Sequence, residues 1–423
     1  MEAKKKEEET IMKRKVLSLT LAAAMAASLA ACGSSGSGST TEAAATTAAA
    51  EAGETEAAGA ETEAPAADGA TWKIGAIGPL TGGTAIYGQA VVNGAELAVN
   101  EINAAGGING YQIEYNSADD ENDAEKAVNA YNSLKDWGMQ MLVGTTTSNP
   151  CIAVADKSMA DNMFQITPSG SAVECAANPN VFRVCFADPD QGAASAQYIG
   201  EHKLATKVAV IYDSSDVYSS GIYTKFAQEA ENQGLEIVAA EAFTADSNKD
   251  FTTQLQKAKD AGAELVFLPF YYTEASLVLT QANTMGWEPM FFGCDGMDGI
   301  LGVENFDTSL AEGLMLLTPF AADATDELTV NFVSSYEEQY GGTPNQFAAD
   351  AYDAVYIIKA ALEDAGATPD MSVSDICEAL KTSMLNITVD GLTGTGMTWN
   401  EAGEPNKAPK AVKIENGAYT AME

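Results

Sequence analysis

Two loops in this chain could hold an anion without a basic side chain, and a third could bring its backbone close to the same guest. Gly144-Thr145-Thr146-Thr147-Ser148-Asn149-Pro150 leaves a strand-like segment ending at Val143 and enters a helix-like one. Pro150 suits the first helical position and Ser148 or Asn149 the cap. A helix starting there turns unpaired N–H groups and a positive dipole end toward a sheet edge, which is how carboxylates and phosphates are commonly bound. Thr167-Pro168-Ser169-Gly170-Ser171 follows the next strand and adds hydroxyl and backbone donors at the same edge. Gly78-Pro79-Leu80-Thr81-Gly82-Gly83 follows the first strand, and its glycines allow close backbone approach ahead of Tyr87 at a helix mouth. None of these loops carries lysine or arginine, so a guest carboxylate would rest on neutral hydrogen bonds. Taken singly, each loop also fits simple capping or a tight turn.

A second set of strand ends carries a different chemistry. Asp213-Ser214-Ser215-Asp216-Val217-Tyr218, Pro269-Phe270-Tyr271-Tyr272 and Gly293-Cys294-Asp295-Gly296 each follow an apolar run. Tyr218 and Tyr271 offer an apolar face and a hydroxyl. Asp295, just past a strand and next to glycine, could pair with an ammonium, although a turn aspartate is the commoner occurrence. Neutral anion donors on one side, with aromatic residues and a carboxylate on the other, complement a zwitterion such as an α-amino acid.

The elements that must position these loops alternate along the chain. Strand-like runs fall at Trp72–Ile77, Tyr111–Tyr115, Gln140–Val143 and Met163–Ile166, and again at Lys207–Tyr212, Leu235–Ala239, Glu264–Leu268, Met290–Phe292 and Leu314–Thr318. Helical patterns separate them: Val91, Ala95, Ala98 and Ile102 share one face, as do Ala127, Tyr131 and Leu134. The second set has helices at Gly221–Gln233, Asp250–Ala261 and Glu274–Met285. Alternation of this kind implies parallel sheets with right-handed crossovers, with ligands at the carboxyl ends of the strands. The expected fold class is α/β: two doubly wound parallel-sheet lobes joined by a hinge of several crossings. Helices at Asp326–Tyr340, Gln346–Ala365 and Val373–Lys381, and strand-like pieces near Gly396–Trp399 and Ala411–Ile414, are too few for a third domain. The chain is therefore expected to place 72–189 and about 319–397 in the first lobe, and 190–318 and about 398–423 in the second.

Composition narrows the function. The formal net charge is −38. An acidic surface of this kind repels phosphate backbones, which argues against nucleic acid as a partner. The chain has no P-loop, no dinucleotide-binding glycine motif, no G-x-S-x-G elbow and no H-E-x-x-H. With a single histidine, His202, and scattered cysteines, neither a Ser-His-Asp triad nor a transition-metal site has suitable parts. No catalytic residue, metal or cofactor is expected. Cys175 and Cys185 are the nearest cysteine pair and could bridge a loop.

The amino terminus carries an address. Met12-Lys13-Arg14-Lys15, an apolar run over Val16–Ala31 and the tetrad Leu29-Ala30-Ala31-Cys32 resemble a bacterial lipoprotein signal. The resemblance implies cleavage before Cys32, a lipid on its sulfur and an extracytoplasmic protein anchored to the cell membrane, with Met12 the more plausible start. Residues 33–71 are nearly all Gly, Ser, Thr, Ala, Glu and Pro, the composition of a disordered acidic tether.

The folded part as a whole resembles the type I periplasmic binding proteins of the leucine/isoleucine/valine-binding family. The most specific stretches are Gly78-Pro79-Leu80-Thr81-Gly82 with Tyr87-Gly88, and Glu101 through Gly110 (EINAAGGING). Ile166-Thr167-Pro168-Ser169 and Gly293-Cys294-Asp295-Gly296 support them. The resemblance implies that Ser148, Ser169 and Ser171, with Gly170 among them, bind a ligand α-carboxylate. It further implies that Tyr218, Tyr271 and Asp295 surround the α-ammonium, and that Tyr87 and Phe347 line the side-chain pocket. Asp295 stands where many leucine binders carry glutamate. The implied function is the solute-binding subunit of an ABC importer, a monomer that closes on a neutral, branched-chain or other aliphatic amino acid and docks on a membrane permease. Short amides, urea and aromatic acids are alternative ligands within the family, and a ligand-sensing receptor subunit is an alternative role.

Overall fold

The computed structural model describes residues 69–422; the lipoprotein-like signal, Cys32 and nearly all of the acidic tether lie outside the described residues. The first sheet contains β1 (Trp72–Gly78), β2 (Ile113–Asp119), β3 (Met141–Gly144), β4 (Phe164–Thr167) and β5 (Val181–Arg183). All its strands are parallel, in the order β2-β1-β3-β4-β5. The second sheet contains β6 (Lys207–Asp213), β7 (Glu236–Phe243), β8 (Leu265–Leu268), β9 (Met290–Gly293), β10 (Met315–Thr318), β11 (Lys410–Glu415) and β12 (Ala418–Ala421). Its order is β12-β11-β10-β9-β8-β6-β7, so β6 to β10 repeat the winding of the first sheet. The two added strands, β11 and β12, run antiparallel and close one edge. Strands β3, β4, β8 and β10 are buried at every residue, which explains why they read as unbroken apolar runs: helices cover both faces.

The helices are amphipathic where they meet a sheet. In α1 (Ala85–Ala104) the stripe Val91, Ala95, Ala98, Ile102 is buried, and Gly106 and Gly107 end the helix with positive φ. The remaining helices of the first winding are α2 (Ala124–Trp137) and α3 (Ser148–Asp161). The second winding has α4 (Asp188–Glu201), α5 (Val217–Gln233), α6 (Thr252–Asp260) and α7 (Tyr272–Thr284). Three later helices follow: α8 (Glu327–Tyr340), α9 (Gln346–Ala365) and α10 (Val373–Met384). Helix α9 is apolar nearly all round and packs on α1, α10, β3 and β4, back on the first sheet. The α1–α9 contact is close because Gly94 has no side chain: a Cβ there would sit 2.1 Å from the Ala348 carbonyl oxygen.

Three segments cross between the sheets, and a buried ion pair ties two of them to helix α9. Lys407 donates to Asp350 Oδ1 at 2.7 Å, Thr393 Oγ1 at 2.6 Å and the Val184 carbonyl at 3.0 Å. Its side chain is 1% exposed and that of Asp350 2%. Asp353 accepts from the Leu392 and Thr393 amides, and Trp399 donates to the Arg183 carbonyl. The stretch 389–406 is thus held by bridges and side chains rather than as a strand. The strand expected near Gly396–Trp399 is only a pair of isolated bridges, Val389 to Met397 and Trp399 to Pro405.

Two other expectations are corrected. Helix α3 starts at Ser148 with Thr147 at its cap, so Pro150 is the third helical residue, where a missing N–H still costs nothing. Cys175 and Cys185 are both free. Strand β5 runs between them and carries Cys185 toward the crossings, while Cys175 packs against Cys151 and Ala172.

Replacing Lys407 with Met is expected to lower stability near neutral pH by about 3–5 kcal/mol, because Asp350 is left buried without its counter-charge. Burial pushes the Asp350 carboxyl up to about 6 against the pull of Lys407. The folded form therefore holds that proton more tightly than the unfolded chain, and stability falls as pH rises from about 4 to 6. The deficit of the variant should shrink at about pH 5. Chemical denaturation at the two pH values measures it, and an equal deficit at both would contradict the pairing.

Candidate functional site

Both sheets reverse their strand order beside the first strand of the winding, between β1 and β3 and between β6 and β8. Such switch points are where open α/β sheets bind ligands, and here the loops leaving them face each other. Two glycines let the loop after β1 fold tightly. A Cβ on Gly78 would meet Thr146 Oγ1 at 2.3 Å, and one on Gly88 would meet the Pro79 carbonyl at 2.1 Å. Tyr87 is thereby pinned at the mouth of α1, buried, with its hydroxyl donating to the Gly296 carbonyl across the cleft. Its ring lies 4.4 Å from Phe347, 4.7 Å from Tyr272 and 5.7 Å from Tyr271.

The hydroxyl-rich loop after β3 is buried throughout, but its hydroxyls serve mostly the lobe itself. Thr145 donates to the Thr147 carbonyl at 3.2 Å and Thr147 to Asn122 Oδ1 at 2.7 Å. Ser169 donates to the Thr146 carbonyl at 2.6 Å. Ser148 Oγ accepts from the Ala172 amide at 3.1 Å, which joins this loop to the one after β4. What remains for a guest is the unpaired N–H groups of the first turn of α3, the Ser148 hydroxyl proton and the Ser171 hydroxyl, which is buried without a partner. The arrangement suits a carboxylate bound by backbone donors more than by the row of hydroxyls the sequence suggested.

Asp295 stands opposite, 4% exposed, in the turn after β9. Tyr218 donates to its Oδ1 at 2.6 Å, and the same hydroxyl accepts from the Gly296 amide at 3.0 Å. The Asp295 amide donates to Gln191 Oε1 at 3.2 Å, and its carbonyl accepts from Gln346 at 2.9 Å. Tyr218 is set by the N-cap of α5, Asp216, which accepts its amide at 3.2 Å, and its ring stacks on Tyr271 at 5.0 Å. Burial pushes the Asp295 carboxyl up to about 6, although the Tyr218 hydrogen bond and the polar Gln191 side chain beside it pull it down.

Eight of the nine residues expected at the site line one cavity: Tyr87, Ser148, Ser169, Ser171, Tyr218, Tyr271, Asp295 and Phe347, joined by Thr146, Thr147 and Gly296. Gly170 does not line it. It stands behind the Ser169–Ser171 turn, where a Cβ would lie 2.9 Å from Cys151 Sγ. The cavity volume is about 10 Å³, roughly room for one water. The lobes are closed: besides Tyr87 to Gly296, the Ile86 amide donates to the Tyr272 hydroxyl at 3.1 Å and Thr273 to the Gly83 carbonyl at 2.6 Å. Asn149 donates to Asp216 Oδ1 at 3.3 Å.

The sequence reading missed Asp188 and Gln191 on the first turn of α4. Asp188 is 1% exposed, and neither of its carboxylate oxygens has a hydrogen-bond partner within normal geometry. Burial raises its carboxyl well above the ordinary range, and the nearby Asp295 raises it further, while Ser171 and Arg183 act in the opposite direction. Gln191 Nε2 is also unpartnered. Ala187-Asp188-Pro189-Asp190 reads as a helix start, so the acid carried no separate signal in the sequence. The cavity itself holds one buried carboxylate, Asp295, against neutral donors on the other side; Asp188 lies behind its wall, its amide donating to the Ser171 carbonyl at 2.9 Å.

Comparison with known proteins agrees with this geometry. A family model described as periplasmic binding protein matches residues 71–418. The Leu/Ile/Val-binding protein homolog 3 of Brucella melitensis is 31% identical over 83% of this chain and 93% of its own length. A leucine-, isoleucine-, valine-, threonine- and alanine-binding protein of Pseudomonas aeruginosa is 30% identical over 73% of this chain and 82% of its own. Among solved structures, a branched-chain amino acid transporter substrate binding protein from Streptococcus pneumoniae, in complex with isoleucine, superposes with a TM-score of 0.76. It is 29% identical over 83% of this chain and 98% of the other. Twin parallel-sheet lobes, facing switch points and a family match across almost the whole described chain lead to one assignment: the protein belongs to the periplasmic binding protein family.

Proposed function

We propose that this chain is the solute-binding subunit of an ABC importer and captures a neutral aliphatic amino acid by closure of its two lobes. The observation that carries the reading is Asp295, a buried carboxylate with no cation against it among the described residues, facing the free N–H groups at the start of α3. The α-carboxylate of the guest would rest on that helix start and on Ser148 and the Ser169–Ser171 turn. Its ammonium would lie against Asp295, bounded by Tyr218 and Tyr271, and Tyr87 and Phe347 would wall its side chain. The names of the similar proteins from Brucella melitensis, Pseudomonas aeruginosa and Streptococcus pneumoniae support a branched-chain or related ligand. In the same reading the protein works as a monomer, is held to the membrane by lipid on Cys32 and delivers its cargo to a permease.

Calorimetry with leucine, isoleucine, valine and alanine tests the ligand class. Asp295→Ala is expected to weaken binding by about 2–5 kcal/mol, since it encloses an ammonium with its main partner removed. Tyr218→Phe removes the hydrogen bonds to Asp295 Oδ1 and from the Gly296 amide but leaves the counter-charge in place, and should cost less, about 1–2 kcal/mol. Equal small losses for the two would contradict the assignment.

The same pair makes binding pH-dependent. An ammonium beside Asp295 favours its ionised form, so the carboxyl that titrates at about 6 in the empty site must lose its proton for the guest to bind. Affinity should therefore fall as pH drops below about 6, by up to roughly tenfold per unit. Asp295→Asn should flatten that slope, and affinities measured from about pH 5 to 8 would show it. A slope that survives the substitution would place the titrating group elsewhere, with Asp188 the next to examine.

A further inference from the structure

Cys151 and Cys175 are fully buried free thiols that form a small cluster with Ala172, apart from the main core. Cys151 lies one turn into α3, and Cys175 lies in the short 3-10 turn Val173–Ala176. Cys175 Sγ donates to the Ser148 carbonyl at 3.6 Å, and Gln165 Nε2 donates to Cys151 Sγ at 3.7 Å. The buried Arg183 guanidinium fixes the intervening segment by donating to the carbonyls of Ser171 at 2.6 Å, Ala172 at 3.0 Å and Val173 at 3.4 Å. The turn itself is at the surface, with Val173 53% exposed, so opening it brings Cys175 to solvent without disturbing the sheet.

We propose that Cys151 and Cys175 are a modification site, a dithiol that a small-molecule or protein disulfide converts to a Cys151–Cys175 disulfide. The Cys175 thiolate attacks one sulfur of the oxidant, forming a mixed disulfide and releasing one oxidant thiol. When the turn closes, the Cys151 thiolate attacks the Cys175 sulfur and expels the second oxidant thiol. Two cysteines are oxidised and one disulfide is reduced to two thiols, with the cysteine protons passing to solvent or to the released thiols. Cys151 suits the second step. The neighbouring Cys175, then Thr167 and Thr145, together with the charge of Arg183, hold its thiol below the ordinary range, against the opposing effect of burial. The bond would tie the first turn of α3, with Ser148, to the segment carrying Ser169–Ser171, and so fix both walls of the anion pocket whatever ligand it takes.

Oxidised glutathione added to the reduced full-length protein, followed by alkylation and peptide mapping, tests this. The expected result is a single linked pair of peptides holding Cys151 and Cys175, with Cys185, Cys294 and Cys377 alkylated, and Cys32 too where it carries no lipid. The melting temperature should rise by about 3 °C or more over the dithiothreitol-treated protein, as expected for closure of a loop of roughly two dozen residues. That rise should vanish in Cys175→Ala and persist in Cys185→Ala. Cys151 and Cys175 both recovered alkylated, under conditions that oxidise the urea-unfolded chain, would overturn the proposal. So would a linkage of either to another cysteine.

Discussion

Asp295 is a carboxylate enclosed between two lobes that supply it no cation. The Tyr218 hydroxyl donates to it and polar neighbours surround it, but they do not offset its burial, which leaves it titrating at about 6. The two buried bases near the crossings are already engaged. Arg183 faces Glu404 at 3.1 Å and three carbonyls, and Lys407 is spent on Asp350. Asp188 adds a second acid whose oxygens are unpartnered. The interior where the lobes meet is thus short of positive charge, and an uncompensated buried carboxylate is expensive. A guest ammonium removes that cost, which gives the closed cleft a reason to prefer being filled.

The contacts that close the cleft are suited to reversibility. Tyr87 to Gly296, Ile86 to Tyr272 and Thr273 to Gly83 are neutral hydrogen bonds, and such bonds contribute net about 1 kcal/mol each once water is accounted for. They define the closed geometry without dominating its energy. A ligand that touches both lobes can then shift the balance by its own differential affinity. The crossings behave otherwise. Lys407 fastens Val184, Asp350 and Thr393 to one another by charge-assisted bonds in a buried setting. The hinge side is tight and the cleft side loose, which confines relative motion to opening and closing.

Much of this was legible in the sequence. The strands could be read because helices on both faces leave them uniformly apolar, and α1 because Val91, Ala95, Ala98 and Ile102 repeat at helical spacing. The strand-end loops could be read because glycine and hydroxyl residues follow directly on apolar strand-like runs there. What failed depended on long-range packing. The start of α3 was misplaced because Ser148, Asn149 and Pro150 all carry local cap signals, whereas the chain enters the helix two residues sooner. Nothing local revealed that Thr145, Thr147 and Ser169 would spend their protons inside the lobe. Asp188 was hidden in an ordinary helix start. Cys175 was matched to its nearest sequence neighbour, although β5 separates the two and folding places Cys151 against it.

The division of labour between the lobes follows from these placements. One lobe offers donors that want a negative group, and the other offers an acid that wants a positive one; neither is balanced within its own lobe. A simple cation or anion would answer half of the site and leave the other half enclosed and unmatched. A small zwitterion answers both, and does so only when the lobes are together, because its two charged groups are separated by little more than one carbon. In the proposed reading recognition and closure are then the same event, and selectivity for a compact dipolar solute would come from where the start of α3 and one buried aspartate meet.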